Sequence, residues 1–289
     1  MNRLSDSACD LGCTLAASMS AITLYHIGPS LFSQIARLAL AEKHVEYTSR
    51  VVDIGPRMAN YEPWYVRKNP RMVVPTLEIT GPEGSVIVTD ALRIIVWIDD
   101  NLHGPPLLPA DRDARAEVEA WLTKLDGLRV RELFYGTMPG PFGKLAPKAV
   151  GKRLAVLERH RERNPELAAI YDERIADVRA WRATIVDREQ VAAIQAELDA
   201  LLGELEAALS EHEFLVGDRY TLADVVWTVM LARLHMLRRT AALGPSTRSY
   251  YARMRARASF YEADIWERVR LGFVLRTLVG VLRLPARRA

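Results

Sequence analysis

Val73-Val74-Pro75-Thr76-Leu77 holds the most specific chemistry in this chain, because a proline entering a strand removes a ladder donor and leaves the main chain beside it unpaired. Such a proline is accommodated at a sheet edge or in a tight, often cis, turn. The residue before proline is kept extended, so the N–H and C=O of Val74 are set to pair with a short peptide lying alongside. After an acidic turn at Gly81–Gly84 and the strand Ser85–Val88, Thr89-Asp90 opens an apolar-periodic helix, with Asp90 and Ala91 at its start. Other chemistries are excluded by the same residues. The two cysteines, Cys9 and Cys13, precede the body of the chain, so the body offers no thiol for a disulfide, a zinc site or nucleophilic attack. The six histidines show no ligand spacing, which argues against a metal; His26 stands out only because it follows the first strand.

The elements that must position these residues follow from periodicity and punctuation. Ile22–Tyr25 reads as a short strand, Gly28-Pro29 breaks it, and Ser30 or Ser33 begins a helix through Ile35, Leu38 and Leu40. His44–Asp53 alternates as a second strand, and the hairpin around Gly81-Pro82-Glu83-Gly84 and the Asp90 helix complete an α/β layer of thioredoxin-like plan. With 289 residues, 49% hydrophobic and 26% charged, the chain is long enough for two domains. A net charge of +3, evenly spread, gives no footprint for nucleic acid. Residues 1–20 read as a disordered extension without a secretory signal, 21–102 as the thioredoxin-like domain, and 103–111, rich in proline and glycine, as a linker. A reducing, cytoplasmic setting goes with that cysteine usage.

Beyond the linker, 112–289 reads as all-helical. Asp113–Tyr135 and Val191–Leu209 carry apolar residues at helical spacing, and Thr221-Leu222-Ala223-Asp224 is a capping box before another apolar helix, with a structural role. Between them, about 139–189 forms a charge-rich helical insertion; a solvated excursion is the plainer reading and a functional lid the alternative. Leu271–Leu284 is an apolar stretch with arginines at both edges and too short to span a bilayer. Its apolar side covers either the helical domain or a partner subunit, or else contacts a membrane surface peripherally.

Together these residues make the chain resemble the soluble glutathione S-transferases, over roughly residues 22–260. The motifs are Val52-Asp53-Ile54-Gly55, Tyr61-Glu62-Pro63, Val73–Leu77, Tyr220–Ala223, Trp227-Thr228-Val229 and Leu231-Ala232-Arg233. They look most like the tetrachlorohydroquinone dehalogenase-like branch, while Gly28-Pro29 followed by Ser33 is similar to the Gly-Pro-x3-Ser turn of bacterial β-etherases. The resemblance implies a glutathione transferase with an N-terminal thioredoxin-like domain and a C-terminal helical domain. It also implies glutathione as co-substrate, a small hydrophobic and aromatic electrophile, and a homodimer.

It further implies roles for residues. Val74, beside Pro75, pairs its main chain with the cysteinyl part of glutathione. Asp90 accepts from the γ-glutamyl ammonium, and Ala91 offers its N–H to the glutamyl carboxylate at a helix N-terminus suited to anions. Where the family places Glu or Gln followed by Ser, this chain has the shorter Asp90 and then Ala91, which weakens the expected grip. Arg57, Arg67, Lys68 and Arg71 are candidates for the glycyl carboxylate. Ser30 and Ser33 are the hydroxyls on the turn where the family places its thiol-activating residue, and either can serve. The dehalogenase relatives have a cysteine where this chain has Phe32, so their mixed disulfide with glutathione cannot form at that position. The acceptor pocket would be lined by Phe32, Tyr135, Met138 and Phe142, with Trp227 behind. Two other classes remain: a transferase-fold protein that binds glutathione or hydrophobic ligands without turnover, and a membrane-associated scaffold resembling the ganglioside-induced differentiation proteins.

Overall fold

In a computed structural model, the structure describes residues 21–138, 140–270 and 272, with no side-chain account of 140–142. The Cys9–Cys13 pair and the apolar stretch Leu271–Leu284, apart from Gly272, lie outside the described residues. Two compact units divide the chain: one is built from residues up to Val52, Val74–Leu122 and Glu206 onward, the other from Asp53–Val73 and Thr123–Leu205.

The first unit contains a four-stranded sheet. Strand β1 (Ala21–His26) leads through Gly28-Pro29 into helix α1 (Leu31–Glu42), and β2 (Thr48–Val51) returns parallel to β1. The second strand is shorter than the alternation over His44–Asp53 suggests, because β1 offers only His26 as the partner of Val51 and His44 adopts a left-handed φ of +54°. Helix α2 (Pro63–Lys68) belongs to the second unit. Strands β3 (Thr76–Gly81) and β4 (Gly84–Thr89) form the expected hairpin, with Gly81 opposite Gly84, and the sheet order is β2-β1-β3-β4. Thus β3 is an interior strand, and Pro75 stands just before its paired segment, joined to Val74 by a cis bond. The tight turn, not the sheet edge, is how this chain accommodates the proline.

Helix α3 (Ala91–Asn101) follows. Its Asp99 forms a buried ion pair with Lys43, Nζ to Oδ1 2.9 Å, and accepts the N–H groups of Leu107 and Leu108, which fixes the linker. Gly104 passes so close to Lys43, at φ +109°, that a Cβ there would lie 2.3 Å from the Lys43 carbonyl oxygen. Only glycine fits. The single helix expected over Asp113–Tyr135 is two, α4 (Arg112–Gly127) and α5 (Val130–Gly136). The break follows Gly127, a poor helix former, and Arg129 leaves the helical region at ψ +64°.

The insertion consists of α6 (Gly140–Arg163), a short 3-10 turn and α7 (Ala168–Val186), followed by α8 (Arg188–Glu211). It is not merely solvated. Val150, Leu157, Tyr171, Ile175, Val178 and Trp181 pack with Met58, Tyr61 and Met72 into the core of the second unit, and the Tyr171 hydroxyl donates to the Tyr61 carbonyl at 2.7 Å. Other charges stay outside, as in the Arg161–Asp172 and Arg67–Glu166 pairs.

Helix α9 (Leu222–Met236) is buried on nearly every side, as a helix apolar all round must be. The capping box forms, with the Thr221 N–H donating to Asp224 Oδ2 at 2.8 Å. Asp224, itself fully buried, also accepts from the Leu215 N–H and the Tyr250 hydroxyl, so its role is structural. Helices α10 (Pro245–Arg255) and α11 (Ala258–Glu262) complete the first unit. No described helix is long and apolar enough to cross a membrane.

Candidate functional site

Val74 is 6% exposed, yet among the described residues neither its N–H nor its C=O has a hydrogen-bond partner. Its chain neighbour Val73 is the opposite case, its carbonyl taking both the Tyr65 hydroxyl at 2.7 Å and Asn69 Nδ2 at 2.8 Å. Buried main-chain groups are nearly always paired, so the pair on Val74 marks a place made for a polar partner. In the same unit as Val74, Asp90 caps α3 at φ +77°, its Oδ1 accepting the N–H groups of Leu92 at 3.1 Å and Arg93 at 3.5 Å. Ala91, 5% exposed, occupies the first helical position, whose N–H no intrahelical carbonyl can take.

The turn after β1 separates the two serines. Ser30 is the N-cap of α1, half-buried, with Oγ accepting the Ser33 N–H at 3.3 Å; its own hydroxyl proton is left to donate. Ser33 has no exposed surface, and its Oγ is turned toward the Ile27 N–H at 3.5 Å.

The turn is held from three directions. The Arg37 guanidinium, 4% exposed, donates to the carbonyls of Gly28 at 3.3 Å, Ala263 at 2.7 Å and Asp264 at 2.9 Å. Arg233, from α9, donates to the Pro29 carbonyl. The Trp266 indole lies against Gly28, where a Cβ would come within 2.9 Å of its Cζ2, and the Trp266 N–H donates to Gln34 Oε1 at 2.6 Å. Burial, and secondly the Arg37 cation, push His26 down to about 4, outweighing the attraction of Asp264. Arginine can only donate, so His26 Nδ1 accepts from it at 3.2 Å and Nε2–H donates to Ser49 Oγ at 2.7 Å. In that tautomer the imidazole cannot take a proton from Ser49, so the pair is no nucleophile and base.

The candidate acceptor residues fall in both units. Phe32, on α1, is half-buried in the first. Trp227 has no exposed surface; its Nε1 donates to the Trp121 carbonyl at 3.3 Å and its ring meets Trp121 edge to face at 5.6 Å. An indole so enclosed belongs to the core of the first unit, which removes it from a pocket lining. In the second unit Tyr135 is half-buried against Trp181, centroids 4.8 Å apart, and Met138 is half-buried just beyond α5. The Phe142 side chain lies outside the described residues. Of the candidate cations, Arg67 is engaged by Glu166 at 2.8 Å.

Gln34, Arg37 and Trp266 escape a reading of the sequence alone. The signal that could find the first two is a pair of long polar residues three apart inside the apolar run of α1: same-face polar groups on a buried helix require partners.

Comparison with known proteins adds the family. Residues 29–101 match the model of the glutathione S-transferase N-terminal domain and 188–253 that of the C-terminal domain. The tetrachloro-p-hydroquinone reductive dehalogenase of Sphingobium chlorophenolicum is 34% identical over 86% of this chain and 97% of its own length. This chain belongs to the glutathione S-transferase family. Glutathione is the co-substrate that goes with the family. The human ganglioside-induced differentiation-associated protein 1-like 1 is 25% identical over 83% of this chain and 72% of its own. Among solved structures, the β-etherase LigF of Sphingobium sp. strain SYK-6 shares the fold at a TM-score of 0.65 and 22% identity, covering 84% of this chain and 98% of that one. The transferase fold thus comprises the thioredoxin-like sheet domain and a helical domain enlarged by α6 and α7.

Proposed function

We propose that this transferase binds glutathione along the main chain of Val74, with the γ-glutamyl end at Asp90 and Ala91, and activates the thiol with the Ser30 hydroxyl. The thiolate then attacks a hydrophobic, aromatic electrophile: a C–S bond forms, and the leaving group, halide or aryloxide, departs with its electron pair. One observation carries the reading, the buried main chain of Val74 beside Pro75, unpartnered among the described residues. A free thiol near pKa ~8.5 is mostly protonated at neutral pH, and a hydroxyl donor with a helix N-terminus favours the anion. The placement of the serines favours Ser30, since Ser33 faces inward. Phe32 offers no sulfur, so a protein–glutathione mixed disulfide is closed to this chain at that position. A homodimer goes with the reading, and light scattering measures it.

Calorimetry with glutathione and ultraviolet titration of the bound thiolate test the proposal. Ser30→Ala should raise the bound thiol's pKa by roughly 1 to 2 units, each worth about 1.4 kcal/mol, with little change in affinity. A bound thiol that titrates as in free solution in the unmodified protein would sink the catalytic role. A second reading, binding without turnover, is favoured by Asp90, whose Oδ1 already caps α3. Tight glutathione binding with no serine-dependent thiolate selects it.

A further inference from the structure

Capping a helix does not require what surrounds Ser30. An N-cap serine works with its own helix alone, in short peptides as in proteins. Here the residue is also gripped by two segments far along the chain, all within the first unit. The peptide plane before its Cα joins the Pro29 carbonyl to the Ser30 N–H. That carbonyl accepts from Arg233 Nη2, 204 positions away on α9, and the N–H donates to the Ile27 carbonyl at 3.2 Å. The plane after it carries the Ser30 carbonyl, which accepts the Gln34 N–H at 3.0 Å and Gln34 Nε2 at 3.4 Å.

Gln34 is not free to swing. It is 1% exposed, and its Oε1 takes the Trp266 N–H at 2.6 Å across 232 positions. Trp266 is braced in turn, with Nε1 donating to Asp264 Oδ2 at 3.0 Å and the Arg270 guanidinium 4.6 Å from its ring centroid. With both planes held, the Cα–Cβ direction is set at φ −69° and ψ +124°, and χ1 is the one freedom left to the oxygen. The Ser33 N–H removes it by donating to Oγ at 3.3 Å. Hydrogen bonds weaken steeply off line, and an ångström of misplacement can cost a reaction about a hundredfold, so an oxygen fixed this completely suits one partner position.

We infer that Arg233 and Gln34 are positioning residues: they aim the Ser30 hydroxyl at the thiol by pinning the peptide planes on either side of it, with Gln34 carrying the hold of Trp266. The inference rests on the reading of Ser30 as the donor to the thiol.

Ultraviolet titration of the bound glutathione thiolate tests it on the full chain, with Ser30→Ala, Arg233→Met, Arg233→Lys and Gln34→Leu. Arg233→Met and Gln34→Leu should each raise the bound thiol's pKa by roughly 0.5 to 1 unit, about three- to tenfold in the thiolate equilibrium and less than Ser30→Ala does. Arg233→Lys, which restores a donor, should recover part of the shift. Neither substitution should shift the pKa further once Ser30→Ala is present, because the group being aimed is gone. Gln34→Leu changes no charge, so its shift reports geometry rather than the field of a cation. A folded Arg233→Met or Gln34→Leu protein with an unchanged pKa, where Ser30→Ala raises it, overturns that residue's role and leaves Ser30 as the donor; any loss then shows in the melting temperature alone. A shift that persists in full beside Ser30→Ala also overturns it, since the residue then acts on the sulfur directly. A pKa indifferent to Ser30→Ala sinks the reading of Ser30, and this inference with it. Should Arg233→Met fail to fold, Gln34→Leu decides.

Discussion

The turn at Gly28–Ser30 and the arginine cluster of the insertion are both built from guanidinium groups, yet they differ in how those groups are satisfied. Around the turn, Arg37 and Arg233 each donate to the chain's own carbonyls, and Lys43 nearby has Asp99. Beside the insertion and within it, Arg131 and Arg174 are instead paired with the carboxylates of Glu132 and Asp177. Carbonyl partners pin the main chain; carboxylate partners pin side chains to one another and neutralise the charge. Guanidinium groups therefore clamp the backbone in one unit and link side chains in the other.

Arg37→Met gives the sharpest challenge to that contrast. It strips donors from the carbonyls of Gly28, Ala263 and Asp264 and from His26, and should lower unfolding stability by about 3 kcal/mol, since each acceptor left unpaired costs about 1 kcal/mol or more. Asp177→Asn, which takes the charge from the partner of two arginines and keeps an acceptor oxygen, should cost less, about 1 to 2 kcal/mol, in the same urea titration. Equal losses would dissolve the distinction. Next in size is His26. Its folded value near 4 lies below the unfolded 6.5, so the unfolded chain binds the extra proton between those values and stability falls as pH drops through that window. The shift corresponds to roughly 3 kcal/mol at most. A profile that stays as steep in His26→Asn would assign the pH dependence elsewhere.

Gly28→Ala comes third, forcing a methyl to within 2.9 Å of the Trp266 ring, and should cost about 1 to 3 kcal/mol. Adding Trp266→Leu should recover part of that cost if the indole, rather than the turn's own backbone, is the obstacle. Smallest is Glu166→Gln, which breaks an ion pair whose side chains are 56% and 55% exposed. A change beyond about 0.5 kcal/mol in thermal or urea unfolding would show that surface charges, and not the buried cluster around Tyr171 and Trp181, hold the insertion together.

Local signals explain what is legible in the sequence. Pro75, the Gly81–Gly84 turn and the caps at Asp90 and Thr221 are each set by residues a few positions apart, and the corresponding starts can be read directly, while the first helix start is narrowed to Ser30 or Ser33. Alternation overextends the second strand because pairing length is decided by the partner strand. The insertion's core is hidden from the sequence because Tyr171 meets Tyr61 across 110 positions, and no window holds both. The same applies to the turn. Sequence narrows the hydroxyl to two serines, but their difference in burial depends on packing around α1.

The clamp on that turn also has an order in time. Arg37 and the Ala263 carbonyl it grips are 226 positions apart, so a ribosome delivers the polar stripe of α1 long before it delivers the stretch that covers it. Until Trp266 emerges, Gln34 and Arg37 stand uncovered on the nascent protein. The serine is thus made well before the residues that align it, and an unfinished polypeptide carries the hydroxyl without its alignment.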